Sequence, residues 1–370
     1  MTASSPRVAL AHHWLVGMRG GEKVLEQICT LHPGAPIYTL VANPAKLSAQ
    51  LQAHPIVTSR LQRIPGAARH YKKMLPLFPW AIGALKVKGP VDLVISSDAA
   101  VIKGLDCDGV PHVCYCHSPP RYLWDLQQDY TESAETGGAA GRLLFNAVVP
   151  YVREFDRQAA QRVTHFIANS AFVRQRIQAH YGRESEIIYP PVALDDFAVA
   201  REKPDDFYVV VSQLVPYKRI DVAVQAFNAL KKTLIVIGEG SERARLEKMA
   251  GPTVKFLGSQ PFPVLREHFR KCRALIFPGI EDFGITPLEA QASGRPVLAY
   301  RAGGVLETIQ EGVTGLFFSH QTAESLVEAV EKFESGPAPF RPEDCRASAE
   351  RFGPDRFRVN FSDFLARQLR

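Results

Sequence analysis

Ile187-Ile-Tyr-Pro-Pro-Val-Ala-Leu-Asp-Asp-Phe197 lies near the middle of the 370-residue chain and divides it. Two consecutive prolines lock φ, remove two backbone donors and push the preceding residue into extended conformations. The stretch therefore suits neither a helix nor a central strand, and it reads as a hinge. Residues 1–190 form one expected domain and residues 191–352 another. A chain of this length is too long for one ordinary core and suits two domains of Rossmann size.

The same alternation runs outward on both sides. Upstream, Arg7–His12, Pro36–Val41, Val91–Ser96, Pro111–His117 and His165–Asn169 are short apolar strands. Gly21–Leu31 is a helix with Val24, Leu25, Ile28 and Leu31 on one face. Downstream, Tyr208–Ser212, Thr233–Gly238, Val254–Gly258, Ala274–Pro278, Pro296–Tyr300 and Leu316–Phe318 repeat the pattern. Short apolar strands separated by helices imply parallel sheets covered on both faces. The fold class is α/β: two doubly wound Rossmann-like domains facing across a cleft at the carboxyl ends of their strands, where such folds bind ligands. Residues 353–370 carry Phe357, Phe361, Phe364 and Leu365 at helical spacing, a helix expected to pack back on the N-terminal domain. The polar stretch Gln127–Gly141, ending in GGAAG, reads as a mobile surface loop.

Lys and Arg outnumber Asp and Glu by only 44 to 38. That excess fits an anionic small ligand or an anionic membrane surface and gives no reason to expect nucleic acid. No stretch approaches the ~18–20 apolar residues of a spanning helix. The first residues lack the basic region and cleavage site of a signal peptide. None of the six cysteines falls in a CxxC pair, and reduced thiols in a cytoplasmic protein are expected.

The chemistry concentrates at strand ends. EDFGITPLE (Glu281–Glu289) follows the strand Ala274–Pro278. Gly284 allows a tight turn, Thr286 and Pro287 read as N-cap and first helical residue, and the amides of Gly284, Ile285 and Thr286 make an anion site at a helix start. Two readings of Glu289 stand: a capping box with Thr286, or a carboxylate accepting ribose hydroxyls. SQLVPYKRID (Ser212–Asp221) puts Lys218 and Arg219 at another helix start, where cations are unfavourable unless an anion lies between them. A solvated basic pair competes with a diphosphate site.

In the first half, Gly20 and Gly21 join the first strand to the first helix and let backbone amides approach a ligand. HSPPRYLWD (His117–Asp125) places His117 in a proline-restrained loop beside Arg121 and Trp124. Arg174 follows the helix cap at Asn169 and Ser170. GxGxxG and P-loop patterns are both missing, and Gly238-Glu-Gly240 is only half of a dinucleotide fingerprint. Asp106-Cys-Asp108 resembles a metal-binding acidic pair, but it precedes its strand and reads as a solvated turn. Arg60, Arg63, Arg69, Lys72, Lys73, Lys86 and Lys88 interleave with Tyr71, Met74, Leu77, Phe78 and Trp80. Residues 60–88 thus suit either an anionic bilayer face or a solvated helix and loop over the core.

With these residues the chain resembles the family 4 retaining glycosyltransferases of the GT-B fold. HHWLVGMRGGEKVLE, ISSDAAVIKG, CYCHSPPRYLWD, SQLVPYKRID and EDFGITPLEAQASGRPV look most like the bacterial O-antigen and exopolysaccharide mannosyltransferases of that family. The resemblance implies a donor diphosphate on Lys218, its ribose on Glu289, and its sugar on Glu281 and the backbone of Phe283, Gly284, Ile285 and Thr286. It places His117 beside the sugar on the acceptor side, with Arg121, Trp124 and Arg174 as acceptor-side candidates, and has the Gly20–Gly21 loop close over the diphosphate. Many members carry Gly-Arg where this chain has Ser212-Gln213, so Arg219 is expected to supply the missing charge. The expected activity is a metal-independent, retaining transfer from GDP-mannose to a lipid-linked oligosaccharide at the inner face of the cell membrane, with no cofactor. A UDP-sugar hexosyltransferase, a sugar-nucleotide epimerase and a silent nucleotide-sugar-binding scaffold subunit are the alternatives.

Overall fold

The computed structural model describes residues 6–132, 138–336 and 340–368. They form two units. The first gathers the chain up to Glu132, residues 138–191 and the helix Pro354–Gln368; the second is Val192–Gly353.

The first unit holds β1 (Val8–His12), β2 (Ile37–Thr39), β3 (Ile56–Thr58), β4 (Leu93–Asp98), β5 (His112–Cys116), β6 (His165–Ala168) and β7 (Ser185–Ile187). They make one parallel sheet in the order β3-β2-β1-β4-β5-β6-β7. Every residue of β1, β4 and β5 is buried, as expected of strands covered on both faces. β3 and β7 were not read from the sequence. Each has three residues at an edge of the sheet and is only partly buried, so neither shows a continuous apolar run.

The helix Pro354–Gln368 closes one face of this unit. Phe357, Phe361, Phe364 and Leu365 join Val8, Leu10, Ile28 and Tyr115 in a single core, and the rings of Tyr115 and Phe357 meet edge-on at 5.8 Å. The Arg358 guanidinium donates to Gln27 on the first helix. Residues 369–370 of the expected 353–370 segment lie outside the described residues.

One expectation is corrected here. Gln127–Gly141 is not a loop throughout: Gln127–Glu132 is helical, and a second helix runs Gly138–Arg162. Residues 133–137 of that stretch lie outside the described residues. Ala139, Ala140, Leu143 and Leu144 favour helix strongly, and their composition outweighs the flanking glycines.

The second unit holds β8 (Tyr208–Val211), β9 (Leu234–Ile237), β10 (Val254–Gly258), β11 (Leu275–Phe277), β12 (Val297–Tyr300) and β13 (Gly315–Phe318). They form a second parallel sheet, ordered β10-β9-β8-β11-β12-β13. Its core packs Tyr208, Val210, Val236, Ile276 and Leu298 from the strands against Val224 and Phe227 of the helix Ile220–Leu230. In each sheet the winding reverses beside the first strand, between β1 and β4 and between β8 and β11. These reversals open a crevice at the strand ends.

Candidate functional site

In the second unit, β8 leads through Ser212–Val215 to the turn Pro216–Lys218, and Arg219, at φ +52°, caps the helix Ile220–Leu230. The left-handed conformation is costly for a side-chain-bearing residue, so this corner is held by its surroundings. β11 ends at Phe277. A Cβ on the following Gly279 would lie 3.0 Å from the Lys218 carbonyl oxygen and 3.1 Å from its Cα. Glycine thus lets the two loops touch, and the Lys218 ammonium pairs with the Glu281 carboxylate. The side chains are 16% and 20% exposed. Arg219 turns elsewhere: its guanidinium reaches Asp221 at 3.2 Å and donates to Gln321 at 3.2 Å. Its charge is answered by the first turn of its own helix, which removes the electrostatic reason for expecting an anion there.

Glu281 accepts the Gly304 N–H on its backbone carbonyl at 2.9 Å. A Cβ on Gly303 would press on that carbonyl, and one on Gly304 would overlap the Phe283 backbone. The acidic turn therefore rests on Gly303-Gly304, a pair that the sequence reading did not single out. Phe283 is buried, its ring 5.6 Å from that of Phe352. The helix cap is a correction. Gly284, at φ +91°, is the N-cap, Ile285 the first helical residue and Thr286 the second. A left-handed cap suits glycine and not threonine. With no capping side chain, the first-turn N–H groups keep the partial positive charge of a helix start. Glu289 lies a full turn in, so it makes no capping box. Burial, with Asp196 nearby, pushes its carboxyl up to about 7.

The first unit assembles a different group at its own reversal. His12 ends β1, Ser97 and Asp98 end β4, and His117 follows β5. The Ser97 hydroxyl lies 3.2 Å from His12 Nδ1 and 2.8 Å from His117 Nε2. His12 is fully buried and its Nε2 has no hydrogen-bond partner; the nearest carboxylate oxygen, on Glu22, is 3.9 Å away. Burial lowers the pKa of His12 well below the usual range and that of His13 to about 4. Gly20 and Gly21 are the first two residues of the helix Gly20–Leu31, not a connecting loop. Glu22 accepts the Arg19 N–H at 3.0 Å, and this local bond starts the helix one residue earlier than expected. A Cβ on Gly21 would stand 3.4 Å from the His12 ring and 3.6 Å from His117 Nε2.

Beneath these histidines lies a buried ion cluster. Lys103 Nζ sits between Asp98, at 3.2 Å, and Asp156, with all three side chains at most 1% exposed. Asp156 also accepts the Trp124 indole N–H at 2.9 Å and the Tyr181 hydroxyl at 2.7 Å. The Trp124 donor is thus spent inside the fold, and its ring stacks on His180 at 4.8 Å. Arg174 is exposed on the helix Ala171–Tyr181. Two residues on, the sequence reading missed the buried Arg176, which donates to Asp125 at 2.9 Å, Ser118 at 2.5 Å and the Pro119 carbonyl at 3.2 Å. Partial burial would raise Asp125, but His180 and Arg176 hold it at about 2. This network fixes the loop that carries His117 and Arg121. Asn169 adds a bond from its amide to the His117 carbonyl at 2.9 Å.

The remaining candidates separate cleanly. Gly238 and Gly240 are glycines because side chains there would strike the Ser212 and Leu214 carbonyls. Asp106 and Asp108 are exposed in a turn closed by a 3.1 Å bond between them. Among the described residues no group of three His, Cys, Asp or Glu side chains could hold a metal ion, and no helix is long and apolar enough to cross a membrane. Residues 60–88 form short helical turns. Their seven Lys and Arg side chains are exposed, Tyr71 and Phe78 are buried, and Leu77 and Trp80 point outward. The adjoining helix Gly138–Arg162 also exposes Leu143, Leu144 and Tyr151.

Comparisons with known proteins bear on the family and the fold. The family model "Glycosyltransferase Family 4" matches residues 28–196 and "Glycosyl transferases group 1" matches residues 193–352. A D-inositol 3-phosphate glycosyltransferase of Mycobacterium avium is 26% identical over 219 residues, 52% of each chain. A GDP-mannose-dependent alpha-(1-6)-phosphatidylinositol monomannoside mannosyltransferase of Mycobacterium tuberculosis is 25% identical over 218 residues, 50% of this chain and 56% of that one. The chain spans about half the length of the curated relatives it matches. The crystal structure of an Anabaena protein, HepE, in complex with UDP and glucose superposes with a TM-score of 0.72 at 17% identity, over 98% of this chain and all of that one. By these matches, end to end across both units, the chain belongs to the family 4 glycosyltransferases of the GT-B fold.

Proposed function

We propose that the protein transfers a hexose, with retention of anomeric configuration, from a nucleoside-diphosphate sugar to a glycan acceptor. The observation that carries this is the Lys218–Glu281 pair beside the uncapped helix start at Gly284. An ammonium, a carboxylate and a row of backbone N–H groups at the reversal of a parallel sheet suit a sugar diphosphate: cation and amides for phosphate, carboxylate for sugar hydroxyls. Glu289 supplies a poorly solvated carboxylate that two ribose hydroxyls would satisfy. Phe283, Gly284, Ile285 and Thr286 contribute the backbone of the sugar site. Arg219 would have to leave Asp221 and Gln321 before it could serve a phosphate.

The proposed step is a front-face displacement. The anomeric C–O bond to the diphosphate breaks as the acceptor oxygen bonds to the same face, and the acceptor's proton passes to a β-phosphate oxygen. Lys218 and the helix-start amides stabilise the charge on the leaving group, the largest contribution in such catalysis, and no metal is required. His117 is assigned to the sugar on the acceptor side.

GDP-mannose is the proposed donor and a lipid-linked oligosaccharide the proposed acceptor, in O-antigen or exopolysaccharide synthesis at the inner membrane face. The Mycobacterium tuberculosis relative is named for GDP-mannose and a phosphatidylinositol mannoside, which supports both. A UDP-sugar is the second reading, favoured by the UDP complex of the Anabaena protein. A metal-free thermal-shift panel of GDP, UDP, ADP and NAD with their sugar conjugates tests the donor. Ligand at a hundredfold its Kd stabilises by about 2.7 kcal/mol, a shift of a few degrees. A shift with GDP compounds alone, unchanged by EDTA, is expected; a shift with UDP compounds alone replaces mannose, and one with NAD alone overturns the transferase. Membrane contact through residues 60–88 predicts flotation with anionic liposomes and its loss on neutralising Lys72 and Lys73.

A further inference from the structure

His117 belongs to a chain of polar groups that begins on the first helix. Glu22 Oε2 accepts the Arg19 N–H, and Glu22 Oε1 faces His12 Nε2 at 3.9 Å. His12 Nδ1 meets the Ser97 hydroxyl, which meets His117 Nε2. Glu22, His12 and Ser97 are all buried.

The Ser97 hydroxyl has one proton, so it donates to one imidazole nitrogen and accepts from the other. The direction is set at the far end. A proton on His12 Nδ1 would leave the Nε2 lone pair buried, unpartnered and pointed at a carboxylate, a repulsive arrangement away from water. A proton on Nε2 instead faces that carboxylate attractively. His12 Nδ1 then accepts from Ser97, and Ser97 accepts from His117. Burial keeps His12 neutral, so the chain carries one proton per link.

We infer that Glu22, His12 and Ser97 are positioning residues that hold the His117 ring in one orientation as the Nε2–H tautomer. In that tautomer Nε2 is the donor and Nδ1 the accepting nitrogen of the ring. The chain also ties His117 to the start of the helix that carries Gly20 and Gly21, so ligand contact at that helix start and the tautomer of His117 are linked. The relevance to turnover rests on the transferase reading above; the tautomer itself does not.

The test is long-range 1H–15N NMR of imidazole-labelled protein without substrate, with His117 identified by the signal missing in His117→Gln. The expected wild-type pattern is protonated Nε2 and unprotonated Nδ1. Ser97→Ala should shift it toward a mixture and lower kcat on the order of 10- to 10²-fold with donor KM nearly unchanged, and Ser97→Thr should restore both. Glu22→Ala should shift the pattern in the same direction, which covers the case that Ser97→Ala does not fold. A wild-type Nδ1–H pattern, or one indifferent to both Ala variants, overturns the inference. Full activity in His117→Ala would instead overturn the role given to His117 and leave the tautomer result standing.

Discussion

Two lysines meet carboxylates near the strand ends of the two sheets, and they differ in every other respect. Lys103, between Asp98 and Asp156, is 1% exposed, with a further bond to the Ala100 carbonyl at 2.9 Å. Burial alone would discharge it, yet Asp156, Tyr181 and Asp98 hold its pKa well above the ordinary value. Lys218 is 16% exposed and pairs with Glu281 in an open turn. A buried, fully bonded ion cluster has no room for a ligand; an accessible pair can exchange its internal partner for an external one. Burial, and not residue type, separates a lysine that builds the fold from one that serves it.

Substitution should break this comparison along a line from stability to binding. Lys103→Met leaves two buried carboxylates uncompensated and should cost about 3–5 kcal/mol, a fall of roughly 6–20 °C in the melting of the first unit. Lys218→Ala should cost less stability than Lys103→Met, since a partly exposed pair is worth less than a buried one, while turnover falls on the order of 10²-fold or more. Calorimetry and initial rates on the two variants decide the matter: equal melting, or Lys218→Ala retaining near-wild-type rates, ends the distinction.

Glu289 gives the next effect. Burial pushes its carboxyl up to about 7, and the ionised form is the one suited to accept two ribose hydroxyls. Affinity for the nucleoside diphosphate should therefore rise about tenfold from pH 6 to pH 8 through this group. Glu289→Gln should lose that part of the slope and keep only the part due to the ligand's own phosphate. Calorimetric titration at three pH values reads the difference; identical slopes would remove the ribose contact. The smallest effect belongs to Gly21→Ala. Its φ is not positive and a Cβ finds ordinary contacts, so the variant should be stabilised by about 0.4–1 kcal/mol. Turnover should nevertheless fall if the glycine is there to admit a ligand. Unchanged turnover would make the glycine pair incidental.

The two units were unequally legible. In the second, each residue stands at a boundary that the sequence displays: Lys218 precedes a helix and Glu281 follows a strand, so both were candidates, but the ion pair between them was not expected. The helix cap was misassigned because threonine before proline is a strong local cap signal, while the left-handed turn at Gly284 depends on the Gly303–Gly304 loop beneath it. In the first unit the partners come from strands far apart in the chain. Ser97 lies in the polar end of β4, between Ser96 and Asp98, and His12 ends β1; only the parallel pairing of β1 with β4 and of β4 with β5 sets them beside His117. Polar residues ending a buried strand were the available signal. Arg176 was passed over for Arg174 because helix phase was not tested against the buried residues Val173 and Ile177.

The helix Pro354–Gln368 has a consequence for the order of assembly. A ribosome makes the first unit's sheet first, but its core lacks Phe357, Phe361, Phe364 and Leu365 until the second unit has been synthesised. At about 5–20 residues per second, the interval between Pro191 and that helix is roughly ten to thirty seconds. During it the second unit can complete itself from its own residues, while the first waits with an apolar face uncovered. Of the two units the one made earlier is finished later, and its apolar sheet face is where the nascent chain most needs chaperone cover.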